Sequence, residues 1–345
     1  MVIVSIFLAK SITNDVNTKS LETDTPLEYN EYVDNLLSGG PGKDGIPAIE
    51  NPKYQNIESA DDFLDPKDVV FLIKIDDEVK IYPQKILVWH EIVNENIAGK
   101  NISITYCPLA GSAIGYKGYI KKINKETTYG VSGKLLNSNL VMYDRETDSY
   151  IPQVLGKGIK GELSGEVLDT FPVVWTTWEL VKEKYPQAKV LTDETGFFRN
   201  YNRDPYGSYL DKGSYYNSGK TLFPLMNTDD RLQEKEIVVG IRIYDDPLAI
   251  QKEFMREKKV YNDESTGIVA FYDESLDTVR VFSSDFNGER LTFRFEDGVI
   301  LDNNNLKWSV EGASSEGSLK WVDSFDVMWF SWASFFPETK LVKAN

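Results

Sequence analysis

The sequence predicts a mixed α+β fold with substantial β-sheet, built as two degenerate copies of one α/β module. Three observations point to it. Short runs rich in β-branched and aromatic residues recur between clusters of turn formers. One of them, Val69-Val70-Phe71-Leu72-Ile73-Lys74-Ile75, is echoed by Ile237-Val238-Val239-Gly240-Ile241-Arg242-Ile243 far down the chain. Similar elements then follow each in the same order.

Residues 1–35 read as a flexible segment. Its apolar run Val2–Ala9 is far shorter than the roughly 20 residues of a membrane span and is expected to be the end of a clipped export signal. Ser11–Asn35 reads as a solvated linker, and Ser38–Pro47, dense in Gly and Pro, as a structured loop without the spacing of a P-loop. The first copy is assigned to residues 36–205. It contains the strand at 69–75 ending in acidic residues, a helix over Pro83–Asn96 and a strand Ile102–Tyr106 that runs into Cys107. A connecting loop is expected at 206–229. The second copy, 230–345, contains the strand at 237–243, a helix over Leu248–Lys259 and a strand over Gly267–Tyr272. Trp178 with Tyr185-Pro186 and Lys189-Val190-Leu191 is answered by Trp332 with Phe336-Pro337 and Lys340-Leu341-Val342. This alignment pairs His90 with Lys258, Cys107 with Asp273 and Met142 with Trp308, so the soft donor atoms fall in the first copy only.

Composition narrows the chemistry. With 38 Lys and Arg against 54 Asp and Glu among 345 residues, the net charge of −16 repels phosphate backbones and argues against a nucleic-acid binder. One His and one Cys exclude a multi-histidine metal site and a disulfide within the chain.

Two chemical readings of the remaining donors stand beside the plain one, in which Cys107 is a core thiol and His90 a hydrogen-bonded structural residue. In the first, thiolate, imidazole and thioether form a mononuclear soft-metal site, with copper as the expected ion. Cys107, His90 and Met142 are its ligands, and Asp144, Gln153 or Glu91 its candidate oxygen donors. In the second, Cys107 is a nucleophile and His90 its base, with Glu91 or Asp144 orienting the imidazole. A third reading is a non-catalytic extracellular module that binds a protein partner through Trp175, Trp178, Tyr201, Tyr206, Tyr215 and Tyr216.

Several strings resemble the bacterial and archaeal family called domain of unknown function 3179. They are Leu37-Ser38-Gly39-Gly40-Pro41 with Asp44-Gly45-Ile46-Pro47-Ala48, Trp89-His90-Glu91-Ile92-Val93-Asn94, Thr105-Tyr106-Cys107-Pro108-Leu109, Gly130-Val131-Ser132-Gly133, and Asn137 to Thr147. The resemblance covers most of residues 36–205 and continues more weakly to about residue 260. It implies a His, a Cys and a Met at the places held here by His90, Cys107 and Met142. Some relatives carry a second Cys where this chain has Ala110, so a Cys-x-x-Cys motif does not carry over. Relatives are often exported, which implies an extracytoplasmic location, with the cytoplasm as the alternative.

Overall fold

The computed structural model describes residues 29–344 apart from 77 and 98. The run Val2–Ala9 and most of the expected N-terminal segment lie outside the described residues. The end of the expected linker is not solvated: Tyr29 is buried ahead of a short helix, Asn30–Asp34, because its ring joins an apolar cluster with Tyr32 and Leu36.

Strand greatly exceeds helix, in an α+β arrangement. The apolar run at 69–75 forms β1 (Val69–Ile75), paired with β2 (Glu78–Pro83). A short helix, α1 (Gln84–His90), leads into a meander of β3 (Ile92–Ile97), β4 (Lys100–Cys107) and β5 (Ser112–Lys117). A second meander holds β6 (Tyr129–Leu136), β7 (Asn139–Asp144) and β8 (Tyr150–Pro152). The chain then returns through β9 (Val174–Thr177), α2 (Trp178–Lys184) and β10 (Lys189–Leu191). This closes a sheet of order β9-β1-β2-β10, edged by Tyr54–Gln55, in which β10 runs parallel to β2.

The second half repeats this order of elements. β11 (Ile237–Ile241), β12 (Leu248–Gln251) and α3 (Lys252–Lys258) precede a meander of β13 (Val260–Asp263), β14 (Ile268–Asp273) and β15 (Thr278–Ser283). Another follows, of β16 (Phe293–Glu296), β17 (Val299–Asp302) and β18 (Lys307–Trp308). Then come β19 (Ser324–Met328), α4 (Trp329–Phe335) and β20 (Lys340–Val342). Its sheet has the order β19-β11-β12-β20, with β20 parallel to β12. A side-chain clasp recurs as well. The Asn94 amide donates to the Tyr129 carbonyl at 2.7 Å and accepts from the Tyr129 N–H at 3.1 Å, and Asn262 does the same with Phe293 at 2.8 and 2.8 Å.

Two expected helix boundaries and two expected residue pairings shift. The helix expected over Pro83–Asn96 ends at His90, because the β-branched pair Ile92-Val93 joins a strand against Thr105 and Ile104. The one expected over Leu248–Lys259 begins at Lys252, since Leu248–Gln251 pairs with β11. Helix position matches Trp178, the first residue of α2, to Trp329, the first of α4, one turn before Trp332. Met142 lies in the middle strand of its meander and Trp308 in an edge strand, so strand order does not pair them.

The halves share a core. One cluster joins Cys107, Leu109, Ala110, Leu140, Met142 and Leu155 to Val238, Ala249, Phe325, Val327, Trp329 and Trp332. Gly240 permits it, because a Cβ there would meet the Trp332 ring at 2.2 Å. Arg242 crosses the join. Its fully buried guanidinium bonds Asp323 at 2.8 Å and donates to the Tyr116 hydroxyl at 2.9 Å and the Val154 carbonyl at 3.2 Å. Removing the acid leaves a buried charge uncompensated. Asp323→Ala is therefore expected to cost about 3 kcal/mol in urea unfolding, and a change within about 0.5 kcal/mol would show that the pair does not hold the join.

Candidate functional site

Glu91 is placed by the end of α1. It follows the last helical residue with φ at 59°, a left-handed conformation usually taken there by Gly or Asn. Its N–H reaches back to the Leu87 carbonyl, and its own carbonyl accepts the Tyr106 N–H at 2.7 Å, which turns the chain into β3 beside β4. The residue is only 8% exposed. Its carboxyl has no hydrogen bond or ion pair among the described residues, and burial pushes it up to about 8. Glu95, four residues on, is equally buried but accepts from Lys80, Tyr82 and Tyr54. A protein that can surround one buried carboxylate with donors leaves its near neighbour bare.

Cys107 ends β4, and the turn Pro108–Gly111 leads into β5. The thiol at this strand end is buried. Its sulfur accepts the Leu140 N–H at 3.3 Å and is also approached by the N–H groups of Ala110 and Leu109. Burial and the neighbouring Glu91 charge outweigh these donors and push the thiol up to about 12. At neutral pH both groups therefore rest protonated. The turn is pinned from two sides. The Met328 N–H bonds the Ala110 carbonyl at 3.0 Å, and the Tyr215 hydroxyl donates to the Leu109 carbonyl at 2.8 Å.

The segment expected to be a plain connecting loop covers this pair. Tyr216 and the preceding Tyr201 are buried, Tyr209 stacks on Tyr216 with ring centres 3.8 Å apart, and the Tyr209 hydroxyl meets that of Tyr106 at 2.9 Å. Tyr206 feels the charges of both Glu91 and Cys107, which add to burial in pushing its hydroxyl up. Ser138 sits at the hairpin between β6 and β7 with φ at 54°. Its buried hydroxyl faces that of Tyr215 without a hydrogen bond of normal geometry. Ser138 was absent from the sequence candidates. Its only signal is the Asn137-Ser138 turn just ahead of the strand that carries Met142.

The other expected ligands are occupied by protein groups. His90 Nδ1 lies 2.8 Å from the Pro47 carbonyl, which can only accept, so this nitrogen carries the proton. Nε2 then accepts from the Tyr201 hydroxyl at 2.7 Å, and Tyr201 meets Thr195 at 2.5 Å. Burial lowers His90 below its usual value, partly offset by the Pro47 bond. Both ring nitrogens are thus engaged by protein groups, neither of them Cys107. Asp144 accepts from the backbone N–H groups of Glu146, Thr147 and Ser149 and from the Thr147 hydroxyl. Gln153 accepts from Ser112 and Asn139 and donates to Thr105 and the Ser112 carbonyl. Both are fasteners of the β-meanders. Met142 is two residues along β7 from Leu140 and shares the apolar cluster of Cys107. Cys107 thus lies within electrostatic reach of Glu91 and in one apolar cluster with Met142, while His90, Asp144 and Gln153 are engaged by other groups. No group of three His, Cys, Asp or Glu side chains suited to a metal ion occurs among the described residues. No helix among them is long and apolar enough to cross a membrane.

A model of the family described as protein of unknown function (DUF3179) matches residues 43–339. No curated protein and no solved structure gives a match.

Glu91 gives stability an unusual pH dependence. Its carboxyl titrates near 4.5 when exposed and near 8 when folded, so across that window the native state keeps a proton the unfolded chain has lost, and stability falls as pH rises. His90 has the opposite sign. Its folded pKa lies below 6.5, so acidification below that value favours the unfolded chain. The two oppose each other below 6.5, and above it Glu91 prevails. Urea unfolding should show a loss of about 2 kcal/mol between pH 6.5 and 8 that is absent from Glu91→Gln. The same slope in both proteins would place the carboxyl in water.

Proposed function

The chain belongs to the family described as protein of unknown function (DUF3179), and on that premise we propose from its own geometry that it is a cysteine-dependent acyl-transfer enzyme, with Cys107 as nucleophile and Glu91 as its proton acceptor. The observation that carries this is the bare, buried carboxyl of Glu91 beside a thiol that faces backbone N–H groups. A base is most effective when its pKa lies near the working pH, and burial has moved Glu91 there. In the reaction the Cys107 proton passes to the Glu91 carboxylate while sulfur bonds to the carbonyl carbon of an uncharged ester or amide. The leaving group departs with the proton from Glu91. Water then cleaves the thioester, returning one proton to Glu91, and the Cys107 thiol is restored as the acid product leaves. Tyr206 and Ser138, whose hydroxyls lack full hydrogen bonds, offer contacts to the substrate's polar atoms.

The soft-metal reading keeps Cys107 and Met142, which share one cluster. Its third ligand would have to be Glu91, a hard donor that copper(I) disfavours. The thiol–carboxyl reading uses the groups near Cys107 that have bonding capacity to spare, Glu91, Ser138 and Tyr206, and is the stronger.

The repeat reading is part of the proposal. Matching sheet orders, parallel closing strands and the Asn94 and Asn262 clasps support two copies of one module, 36–205 and 230–345, joined by 206–229. In the second copy the position of Glu91 is held by Lys259, also left-handed with φ at 65°. The end of β14 carries Asp273, bonded by Arg280, Lys184 and Ser275. The second copy then acts as a buttress and holds no chemistry.

Alkylation of native Cys107 by iodoacetamide tests the function. The rate should climb with an inflection near pH 8, set by Glu91. Glu91→Gln should be slower by at least about tenfold at pH 8. If Glu91 acted only through its charge, the same change would favour the thiolate and speed the reaction, and the proposal would fail. It would also fail if the native thiol stayed unmodified up to pH 10 while the urea-unfolded chain reacted.

A further inference from the structure

A cavity of about 430 Å³ opens between the halves, away from the thiol. Its first wall comes from β9 and the tyrosine loop. Trp175 and Tyr209 meet there edge to face, with ring centres 5.4 Å apart, and the Tyr209 hydroxyl is spent on Tyr106, so that only its ring is offered. Thr176 and Thr177 line the same wall, and each has a buried hydroxyl with no hydrogen-bond partner; Thr176 is 3% exposed. Buried hydroxyls are rarely left unpaired, and such groups call for a missing partner.

The opposite wall is charged, and its two cations are already neutralised. Lys252 pairs with Asp326 at 2.9 Å, and Arg256 grips Asp277 through two bonds of 2.9 and 2.7 Å and Glu253 at 2.6 Å. Glu236 completes this wall and receives only the neutral Gln251 amide. Carboxylates therefore exceed cations by two, in a chain whose net charge is −16. No cation is free to receive a phosphate or a carboxylate.

We propose that this cavity binds a small organic cation: a protonated amine on a hydrocarbon or ring body. The body lies against the Trp175 and Tyr209 faces, where ring quadrupoles attract positive charge. The ammonium donates to the Thr177 hydroxyl and is balanced by Glu236 and Glu253. One-signed clefts of this kind also concentrate counter-ions from solution. The site is distinct from the Cys107 chemistry, and of its lining residues Tyr209 alone belongs to the loop that covers Cys107 and Glu91.

Titration calorimetry of the full chain with phenethylamine tests it, beside phenethyl alcohol, glucose and inorganic phosphate. Phenethylamine should bind one site, about tenfold or more tighter than the alcohol, and more weakly as salt is raised. Glu236→Gln with Glu253→Gln should weaken it by about tenfold. Thr177→Val keeps the shape of the wall and should weaken the amine without lowering the melting temperature. If circular dichroism shows an intact fold and the amine gives no heat, the proposal is overturned. Equal binding of amine and alcohol, or tighter binding of glucose or phosphate, overturns it too.

Discussion

Glu91 sits where it does because of backbone geometry, and the site follows from that. A helix seven residues long has to end, reverse and enter a strand within one residue, and only a left-handed conformation turns the chain so sharply. A glycine would take that conformation at less cost. The chain instead holds a long acidic side chain there, and the reversal carries its carboxyl beneath the tyrosine loop and next to the end of β4. A carboxyl in that place without donors is disfavoured as an anion, so its proton affinity rises. The pairing of β3 with β4, the burial of Cys107 and the packing of the loop all depend on the same reversal.

The polar groups around the site divide by whether their bonding capacity is spent. Asn94, Asn139, Asp144, Gln153 and Glu95 are as deeply placed as Glu91, and each is saturated by backbone or side-chain partners. They behave as a framework, since breaking any one bond would strand its buried partner. Glu91, Ser138 and Tyr206 are the exceptions. Of these, Glu91 acts electrostatically on the thiol, and Tyr206 feels both.

Much of the fold was legible because β-structure advertises itself locally. Val69–Ile75 and Ile237–Ile241 are continuous apolar runs, and their recurrence exposed the similar order of the two halves. Positions depending on turn geometry were not legible. The left-handed residues Glu91 and Ser138 have no signature in composition, and the helix therefore read straight through to Asn96. The pairing of Met142 with Trp308 overlooked strand position, in which Asp144 and Asp302 are alike, each ending a middle strand and fastening the turn that follows. Of the site, Cys107 was found by its rarity, Met142 by comparison of the two copies, and Glu91 only as a candidate oxygen donor or a group orienting His90. His90 drew attention as the single imidazole, but its partners, Pro47 and Tyr201, lie 43 and 111 residues away and could not be read from its neighbours.

The core shared by the halves has a consequence for how the protein is made. Leu109, Leu140 and Leu155 leave the ribosome well before Phe325, Val327 and Trp332, the side chains that cover them. At ordinary synthesis rates the roughly 170 residues between Leu155 and Phe325 take on the order of 10–35 s to appear. Through that interval the first half presents an uncovered apolar face, and the cysteine turn lacks the Met328 amide that pins it. The thiol is therefore more accessible in the newly made chain than it is once the last strand has docked.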